Sequence, residues 1–331
     1  MARIAIVGAG IAGLTLANRL ALHDNHRVTL FEKSQAVGGR IATKRAEPFH
    51  FDHGSQFFIA RTDAFKTFIQ PMIEQDIIAC WNARFAEIHG NHIKRSILWA
   101  DDYPHYVGTP SMNTIAQYLA QGAHIQLNTQ VARLKQDHTQ WVLFDNQDCH
   151  LGHFDWVIST IPSPQALALM GDWLTPDLPI HTTTMQACYS LMLGFEEPLE
   201  LPFEAALVHD ADISWISVNS SKPGRSTPYC LLIHATNRWA DAHLADPLDD
   251  VKQYLIAEAS RVCQLDMTQA DHQAIHRWRY ANHPKRKGPS HLILPQHNLA
   301  LCGDWFIQGR IEAAFTSANA LYHDFMSKGI I

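Results

Sequence analysis

The amino-acid sequence predicts an α/β protein of two domains, in which a domain with a parallel sheet is interrupted by an inserted α+β domain with an antiparallel sheet. Three observations predict this architecture. A glycine-rich turn joins an apolar run to a helical segment within residues 3–22, a second apolar run precedes a long helical segment within residues 299–326, and strand-like runs fill the region between. The chain of 331 residues also exceeds one comfortable hydrophobic core.

The N-terminal segment predicts a βαβ unit. Residues 3–7 form a short apolar run typical of a buried parallel strand, residues 11–22 have helical periodicity, and residues 27–32 alternate into a second strand. A crossover helix is the short connection that makes two consecutive strands parallel.

Four further strands and the last helix complete the same domain. Residues 125–131 and 140–145 predict strands around a polar turn, and residues 156–160 predict a buried strand that ends before two prolines. Residues 299–302 predict another strand, and residues 311–326 a long helix. This dinucleotide-binding domain is expected to comprise residues 1–80, 109–165 and 291–331.

The remaining residues have a different pattern. Residues 189–195, 213–218 and 229–235 predict strands, and residues 248–264 predict a helix. We expect them to form a substrate domain with an antiparallel sheet, made of residues 81–108 and 166–290.

The turn after the first strand carries a dinucleotide-binding fingerprint. Gly8, Gly10 and Gly13 have the spacing G-x-G-x-x-G between a predicted strand and a predicted helix. The first glycine permits the tight turn, the second lets the backbone approach a pyrophosphate, and the third allows close helix–strand packing. Glu32 ends the second strand, where a carboxylate can accept hydrogen bonds from a ribose diol. Together these elements predict a Rossmann-type domain.

Two further motifs favour FAD over NAD as the cofactor. In Gly38-Gly39-Arg40 the glycines let the chain pass near the cofactor, and Arg40 can pair with pyrophosphate, unless the motif is only a surface turn. Asp304 follows a strand and can bind ribityl hydroxyls, or it serves only as a helix cap or turn residue. The N-terminus of the last helix, at Ile311, can face the N1–C2=O edge of a flavin.

This combination resembles the FAD-dependent amine oxidase superfamily, whose members carry G-x-G-x-x-G, an acid, G-G-R and a late G-D before the last helix. Within it, the chain is similar to the bacterial renalases over residues 51–58, 221–225, 276–281 and 302–305. The resemblance spans the whole chain. It implies a Rossmann-type FAD-binding domain of p-hydroxybenzoate hydroxylase-like topology with an inserted α+β substrate domain.

The resemblance also implies FAD contacts, with Ala12 and Ile311 acting through backbone N–H groups and Val131 through its backbone beside the adenine. The residues expected to bind FAD are Gly8, Gly10, Ala12, Gly13, Glu32, Lys33, Gly39, Arg40, Gln56, Phe57, Val131, Asp304 and Ile311. Cys302 precedes the Gly-Asp pair rather than following it, so the flavin is expected to be non-covalent.

The resemblance further implies oxidation of isomers of NAD(P)H that carry hydride at the 2 or 6 position of the ring, giving NAD(P)+ and, with O2, hydrogen peroxide. Because aromatisation drives hydride release, the site needs to stack and orient the ring rather than supply a strong base. Asn219 and His234 are the candidate orienting groups, and Trp278 and Tyr280 are candidate walls of the pocket. Each has a structural alternative, as a turn residue for Asn219 and as core side chains for the other three.

An amine oxidase acting on a small amine is the first alternative function, and an FAD-binding redox protein without turnover is the second. Many amine oxidases place a lysine near the flavin through a water molecule. No lysine can be assigned to that role from the sequence, because Lys222, Lys285 and Lys287 lie in polar, turn-like segments.

Composition limits the partners. A net charge of −6 without a basic stripe argues against nucleic acid and anionic membranes, and no apolar run reaches the ~18 residues of a membrane span. The six cysteines are scattered, which favours a reducing cytoplasm. No histidine or cysteine cluster has the second half that a metal site needs, so no metal is expected.

Overall fold

The computed structural model of the protein describes residues 2–23, 26–100, 103–225 and 228–330. The α-helices are α1 (Ile11–Leu20), α2 (Asp63–Glu74), α3 (Thr114–Leu119), α4 (Ser163–Met170), α5 (Asn237–Ala242), α6 (Leu248–Cys263) and α7 (Ile311–Lys328). The β-strands are β1 (Ala2–Val7), β2 (His26–Phe31), β3 (Lys44–Ala46), β4 (Phe49–Phe51), β5 (Ile78–Cys80), β6 (Arg84–His89), β7 (His92–Leu98), β8 (Tyr106–Gly108), β9 (Ile125–Gln126), β10 (Val131–Asp137), β11 (Gln140–Asp145), β12 (His150–Phe154), β13 (Trp156–Ser159), β14 (Gln186–Phe195), β15 (Ala205–His209), β16 (Ile213–Val218), β17 (Tyr229–Ala235), β18 (His272–Asn282), β19 (His291–Leu294) and β20 (Leu299–Cys302).

The chain divides into two compact units. The first unit takes its residues from 1–40, 116–185 and 283–331, and the second unit from 41–115 and 186–282. Both units therefore draw on segments that are far apart in the sequence.

The first unit contains a six-stranded sheet in the order β19-β20-β13-β1-β2-β9. Its neighbours are parallel except for the antiparallel pair β19–β20. β1 is buried without interruption from Ile4 to Val7, which explains why its sequence is a continuous apolar run rather than an alternating one. At the carboxyl end of the sheet Val7 of β1 lies opposite Ser159 of β13, and the glycine-rich turn follows directly. The predicted parallel domain is confirmed.

A three-stranded antiparallel sheet of β10, β11 and β12 also belongs to the first unit. The expectation of a single strand over residues 125–131 is wrong. Asn128 has a φ of +52°, which ends the extended conformation. β9 therefore joins the parallel sheet beside β2, whereas Val131 starts β10 and pairs with β11.

The second unit contains a seven-stranded sheet in the order β18-β14-β17-β16-β15-β6-β7, antiparallel except for the parallel pair β15–β6. One face of this sheet carries the apolar core, in which Leu191, Ile216 and Ile233 pack with Trp239 of α5 and Leu255 of α6. The predicted antiparallel sheet with helices is thus confirmed.

The two units differ from the predicted domain ranges in four segments, of which residues 109–115 form a short one that lies in the second unit. Residues 41–80 lie in the second unit, because Phe49 and Phe51 of β4 pack with Met192 and Leu232 in one apolar cluster. Residues 166–185 and 283–290 lie in the first unit instead, where Arg286 donates to the Thr183 hydroxyl. Such packing between distant segments has no signature in the local sequence.

The other predicted strands and helices form within three residues of their expected ends. Over the ranges that the structure describes, no helix is both long and apolar enough to cross a membrane.

Candidate cofactor and substrate sites

The glycines of the fingerprint differ in what surrounds them. Gly8 has a φ of +104°, a left-handed conformation that favours glycine. A Cβ on Gly13 would lie 2.0 Å from the Gly8 carbonyl oxygen, so only glycine allows α1 to approach the turn. A Cβ on Gly10 would meet no atom within 4 Å among the described residues. The turn is therefore closed by protein at Gly8 and Gly13 and open at Gly10.

Thr160, at the carboxyl end of β13, braces the same turn and was missed from the sequence. Its hydroxyl donates to the Gly8 carbonyl oxygen at 2.8 Å, and its backbone N–H donates to Val7 at 2.9 Å. The position after a buried parallel strand was the available signal, because such strand ends carry ligand sites in this kind of sheet.

Glu32 is buried at the end of β2, and each of its carboxylate oxygens accepts a hydrogen bond from a backbone N–H group. Oε2 accepts from the Ala9 N–H at 2.9 Å, and Oε1 accepts from the Ser34 N–H at 2.8 Å. Each oxygen retains a further acceptor direction. Glu32 therefore stabilises the glycine-rich turn and can still accept a hydrogen bond from a hydroxyl group.

The Gly38-Gly39-Arg40 motif lies against the glycine-rich turn. The Gly38 N–H donates to the Ala9 carbonyl at 2.8 Å, and a Cβ on Gly39 would lie 3.7 Å from the Gly10 Cα. Arg40 forms a two-pronged ion pair with Asp304, with N–O distances of 2.7 and 2.6 Å. Residues 264 positions apart, each expected to bind the cofactor, thus meet in one place.

Asp304 is held at the end of β20 by the first half of α7. The backbone N–H of Gly303 donates to the buried Ser317 hydroxyl at 2.8 Å. α7 begins at Ile311 after Arg310, and an arginine has no acceptor with which to cap the first turn. The N-terminus of α7 therefore keeps the positive end of its dipole available.

Three further residues of the first unit are expected to bind FAD. Ala12 is buried in the first turn of α1, and Lys33 is exposed. Val131 is buried two residues after Thr129, whose N–H donates to the Glu32 carbonyl at 2.9 Å. The backbone of Val131 is thus tied to the segment that carries Glu32.

In the second unit, four side chains form a row across the sheet, on the face opposite the apolar core. His276 pairs with Ser190, Ser190 with His234, and His234 with Trp215, and direct antiparallel partners share a face. We call these four residues the polar row.

Residues 52–57 lie against the polar row. The Ser190 hydroxyl donates to the His53 carbonyl at 2.6 Å. The His53 ring contacts His276, with centroids 4.8 Å apart, and the Phe57 ring contacts Trp215, with centroids 5.4 Å apart.

Three buried polar atoms in this region have no hydrogen-bond partner among the described residues: His53 Nδ1, His234 Nε2 and Trp215 Nε1. Burial and the neighbouring His276 lower the pKa of His53 to about 4, and burial and the neighbouring Lys222 lower the pKa of His234 to about 4. Both imidazoles are therefore neutral at pH 7. Orphaned buried polar atoms are rare in folded proteins, and they indicate a place where a ligand or water completes the bonding.

Lys222 is entirely buried, contrary to its expected position in a polar turn. Its Nζ lies 2.9 Å from Asn219 Oδ1, 3.0 Å from Gln56 Oε1 and 3.5 Å from Asp52 Oδ2. Burial lowers the pKa of Lys222 to about 7, while the attraction of Asp52 opposes that shift.

Asp52 is the anion of this cluster. It accepts from Arg225 at 2.6 Å, from the Thr43 hydroxyl at 2.7 Å and from the Met112 N–H at 2.9 Å. Burial alone would raise the pKa of Asp52, but Lys222 and Arg225 outweigh that effect and hold it at about 2. The cluster of one carboxylate and two cations carries a net positive charge at pH 7 when Lys222 is protonated.

The carboxamides of Gln56 and Asn219 are both bound inside this cluster. Gln56 donates to the carbonyls of Asp52 and Gly54 and accepts from Ser217 and Lys222, so its side chain has no bonding capacity left. Asn219 opens a short 3-10 turn, and its amide nitrogen donates to the His50 carbonyl at 3.0 Å. Asn219 therefore lies in a turn and retains one N–H for a further hydrogen bond.

Trp278 and Tyr280 lie on β18. Trp278 Nε1 donates to the His53 carbonyl at 2.8 Å, and the indole stacks on the His53 ring. The pairing of β18 with β14 shifts between Trp278 and Asn282. In a regular strand Trp278 and Tyr280 would point to the same face, and this irregularity interrupts that alternation.

A parallel sheet whose glycine-rich turn opens a helix, with an acid at the end of the second strand, defines the first unit as a dinucleotide-binding domain. The profile of the "NAD(P)-binding Rossmann-like domain" matches residues 6–70, and that of the "Flavin containing amine oxidoreductase" family matches residues 82–320. The chain belongs to the flavin-containing amine oxidoreductase family.

Solved structures of other proteins have the same fold. A candidate protoporphyrinogen oxidase from Exiguobacterium sp. 255-15 superposes with a TM-score of 0.80 at 13% identity, over 99% of each chain. A triple mutant of putrescine oxidase superposes with a TM-score of 0.75 at 11% identity, over 99% of each chain. At these identities the likeness shows the fold.

Curated relatives match over a short segment. A 4,4'-diapophytoene desaturase (4,4'-diaponeurosporene-forming) from Staphylococcus haemolyticus is 51% identical over 51 residues, which is 15% of this chain and 10% of the relative. The enzyme of that name from Staphylococcus aureus (strain Newman) is 46% identical over 52 residues, again 10% of its length. The chain thus matches only a tenth of these relatives.

Proposed function

We propose that the flavin is FAD, bound without a covalent link. The open space at Gly10, the helix N-terminus behind it and the Arg40–Asp304 pair fit a pyrophosphate and a polyol. Gly8, Gly10, Ala12 and Gly13 would hold the pyrophosphate through backbone, and Glu32 the ribose. When bound, FAD supplies the hydride acceptor and, by reacting with O2, the route to hydrogen peroxide.

The other expected FAD ligands act through backbone or charge in this proposal. The backbone of Val131 would lie beside the adenine, Asp304 would bind ribityl hydroxyls, and Ile311 would offer its N–H to the flavin ring. Because every donor and acceptor of the Gln56 side chain already has a hydrogen-bond partner, Gln56 would contact FAD through its backbone. Phe57, whose side chain has no hydrogen-bonding group, would do the same. Cys302 is buried in β20, and burial raises the pKa of its thiol well above the usual range, which disfavours a thiolate that could attach a flavin.

We further propose that the substrate is a dihydronicotinamide dinucleotide with hydride at the 2 or 6 position. The observation that carries this proposal is the charge around the polar row. His53 and His234 are neutral, and Asp52, the single buried carboxylate that the described residues place beside them, is already paired with Arg225 and with protonated Lys222. A neutral ring with a carboxamide suits these surroundings, whereas a protonated amine would need an uncompensated anion.

The buried Lys222 is a lysine that an amine oxidase could use, but its contacts do not favour that alternative. The three donors of its ammonium group already face Asp52, Gln56 and Asn219. An ammonium group has only three donors, so none is left to hold a water molecule for a flavin. An amine oxidase and an FAD-binding redox protein without turnover are the outcomes that would replace this proposal.

The residues of the second unit would orient the substrate rather than transfer its proton. Asn219 and His234 would offer hydrogen bonds to the carboxamide and ribose, and Trp278 would wall the pocket. Correct placement of the ring supplies much of the rate when aromatisation provides the driving force. None of the described cysteines forms a disulfide, which fits a reducing cytoplasm.

Anaerobic stopped-flow reduction tests the substrate proposal. The 2- and 6-dihydronicotinamide isomers should bleach the bound flavin rapidly, and ordinary NAD(P)H, with hydride at the 4 position, far more slowly. His234→Ala should slow reduction about tenfold, the effect of one lost hydrogen bond, without releasing FAD. Rapid bleaching by small amines and none by the isomers would establish the amine oxidase instead, and bleaching by neither would point to a protein without turnover.

A further inference from the structure

Lys222 determines which atoms its neighbours can show to a ligand. An ammonium group only donates, so a carboxamide that faces it must present oxygen. Both Asn219 Oδ1 and Gln56 Oε1 face Lys222 Nζ, at 2.9 and 3.0 Å. The lysine thereby favours the amide orientation that the backbone also sets, because the Asn219 N–H donates to the His50 carbonyl and the Gln56 N–H groups donate to the carbonyls of Asp52 and Gly54.

The ion pair with Asp52 does not explain why a lysine is buried here. Asp52 already has Arg225, Thr43 and the Met112 N–H within 2.9 Å, whereas Lys222 lies 3.5 Å away. The shorter contacts of Lys222 are those to the two amides.

We propose that Lys222 is a positioning residue that, together with the His50 carbonyl, holds the Asn219 amide with its oxygen towards the ammonium group, so that Asn219 can offer a ligand only its remaining N–H. This inference rests on the proposed function, in which Asn219 orients the nicotinamide. It deepens that function by assigning the recognised atom: Asn219 binds the carbonyl oxygen of the substrate carboxamide and not its amino group. The site therefore selects a substrate with an acceptor at this position.

A double-mutant cycle tests whether Lys222 acts through Asn219. Lys222→Met removes the donors but keeps a side chain of similar length, and Asp52 keeps its other three partners. Lys222→Met and Asn219→Ala should each slow anaerobic flavin reduction by the 6-dihydronicotinamide isomer about tenfold. The double variant should be no slower than Asn219→Ala alone. Multiplied losses in the double variant would show that Lys222 acts independently, and they would overturn the proposal.

An analogue separates the two atoms of the substrate carboxamide. The 6-dihydro form of the 3-acetylpyridine dinucleotide keeps the carbonyl and lacks the amino group. The tenfold difference in the rate of flavin reduction between the wild-type protein and Asn219→Ala should persist with this analogue. If this difference in rate vanishes, Asn219 recognises the amino group of the substrate, and the assigned orientation of the Asn219 amide is wrong.

Thermal unfolding of the same variants gives a readout that needs no substrate. The Tm loss of the double variant should be smaller than the sum of the two single losses, because the contact between Lys222 and Asn219 is shared and can be broken only once. Additive Tm losses would overturn the coupling. Lys66→Met, at a lysine whose side chain is 57% exposed, is the matched control and should change neither rate nor Tm. If no dihydronicotinamide isomer reduces the wild-type flavin, the proposed function fails, while this cycle still decides whether Lys222 and Asn219 are coupled.

Discussion

At the scale of single residues, alanine substitutions at two glycines of one turn should affect stability and FAD binding in opposite ways. Gly13→Ala places a Cβ 2.0 Å from the Gly8 carbonyl, so we expect a large loss of stability or insoluble protein. Gly10→Ala meets no described atom within 4 Å, so the apoprotein should keep its Tm. If FAD lies close to Gly10, this second variant should bind FAD at least tenfold more weakly.

Calorimetry of the apoprotein and fluorescence titration with FAD measure the two effects. Gly171→Ala is the control, because its Cβ would make only an ordinary contact, at 3.8 Å from Leu167. Unchanged FAD affinity in a folded Gly10→Ala protein would show that the cofactor does not approach this turn.

At the scale of structural elements, Asp52 joins the short segment after β4 to the turn after β16. Asp52→Asn leaves Arg225 and Lys222 buried without an anion, a change that typically costs about 3–5 kcal/mol of unfolding free energy. The pKa of Asp52 is held below its ordinary value, at about 2. Its stabilisation is therefore complete above about pH 4 and is lost as the pH falls towards 2.

Urea unfolding at pH 7 and at pH 3 checks both parts of this prediction. The difference in unfolding free energy between the wild-type protein and Asp52→Asn should shrink at the lower pH, because the carboxylate of the unfolded chain, with its ordinary pKa of 3.8, is mostly protonated at pH 3 while that of the folded protein is still mostly ionised. An equal difference at both values would mean that the pKa of Asp52 is not depressed. Asp249→Asn, at a side chain that is 90% exposed, should have no effect at either pH.

The elements also show what the sequence could predict. Periodicity and glycine spacing predicted β1, α1, β2, β13, β20 and α7, because each has a local pattern that the fold uses directly. The Asp52–Lys222 contact could not be predicted, since it joins residues 170 positions apart and Lys222 precedes a Pro-Gly pair typical of an exposed turn. The break at Asn128 was missed because asparagine adopts a positive φ without any change in the apolar pattern.

At the scale of the whole molecule, the proposed non-covalent cofactor makes a simple prediction. Heat or acid precipitation should release yellow flavin into the supernatant, because the buried Cys302 thiol resists ionisation and offers no reactive thiolate. Absorbance of the supernatant and the pellet near 450 nm would measure the release. Colour that stays on the washed pellet would show a covalent link.

The first unit draws its central sheet from three separated segments, and this determines when the protein can mature. A nascent chain emerges from the ribosome N-terminus first, at about 5–20 residues per second. β1 and β2 are then exposed long before β13 arrives, and Asp304 and Ile311 follow the whole second unit. Asp304, the partner of Arg40 in the ion pair, is therefore translated only after the second unit. We expect flavin capture to wait for these residues, and a ribosome stalled before residue 299 to hold a chain without cofactor.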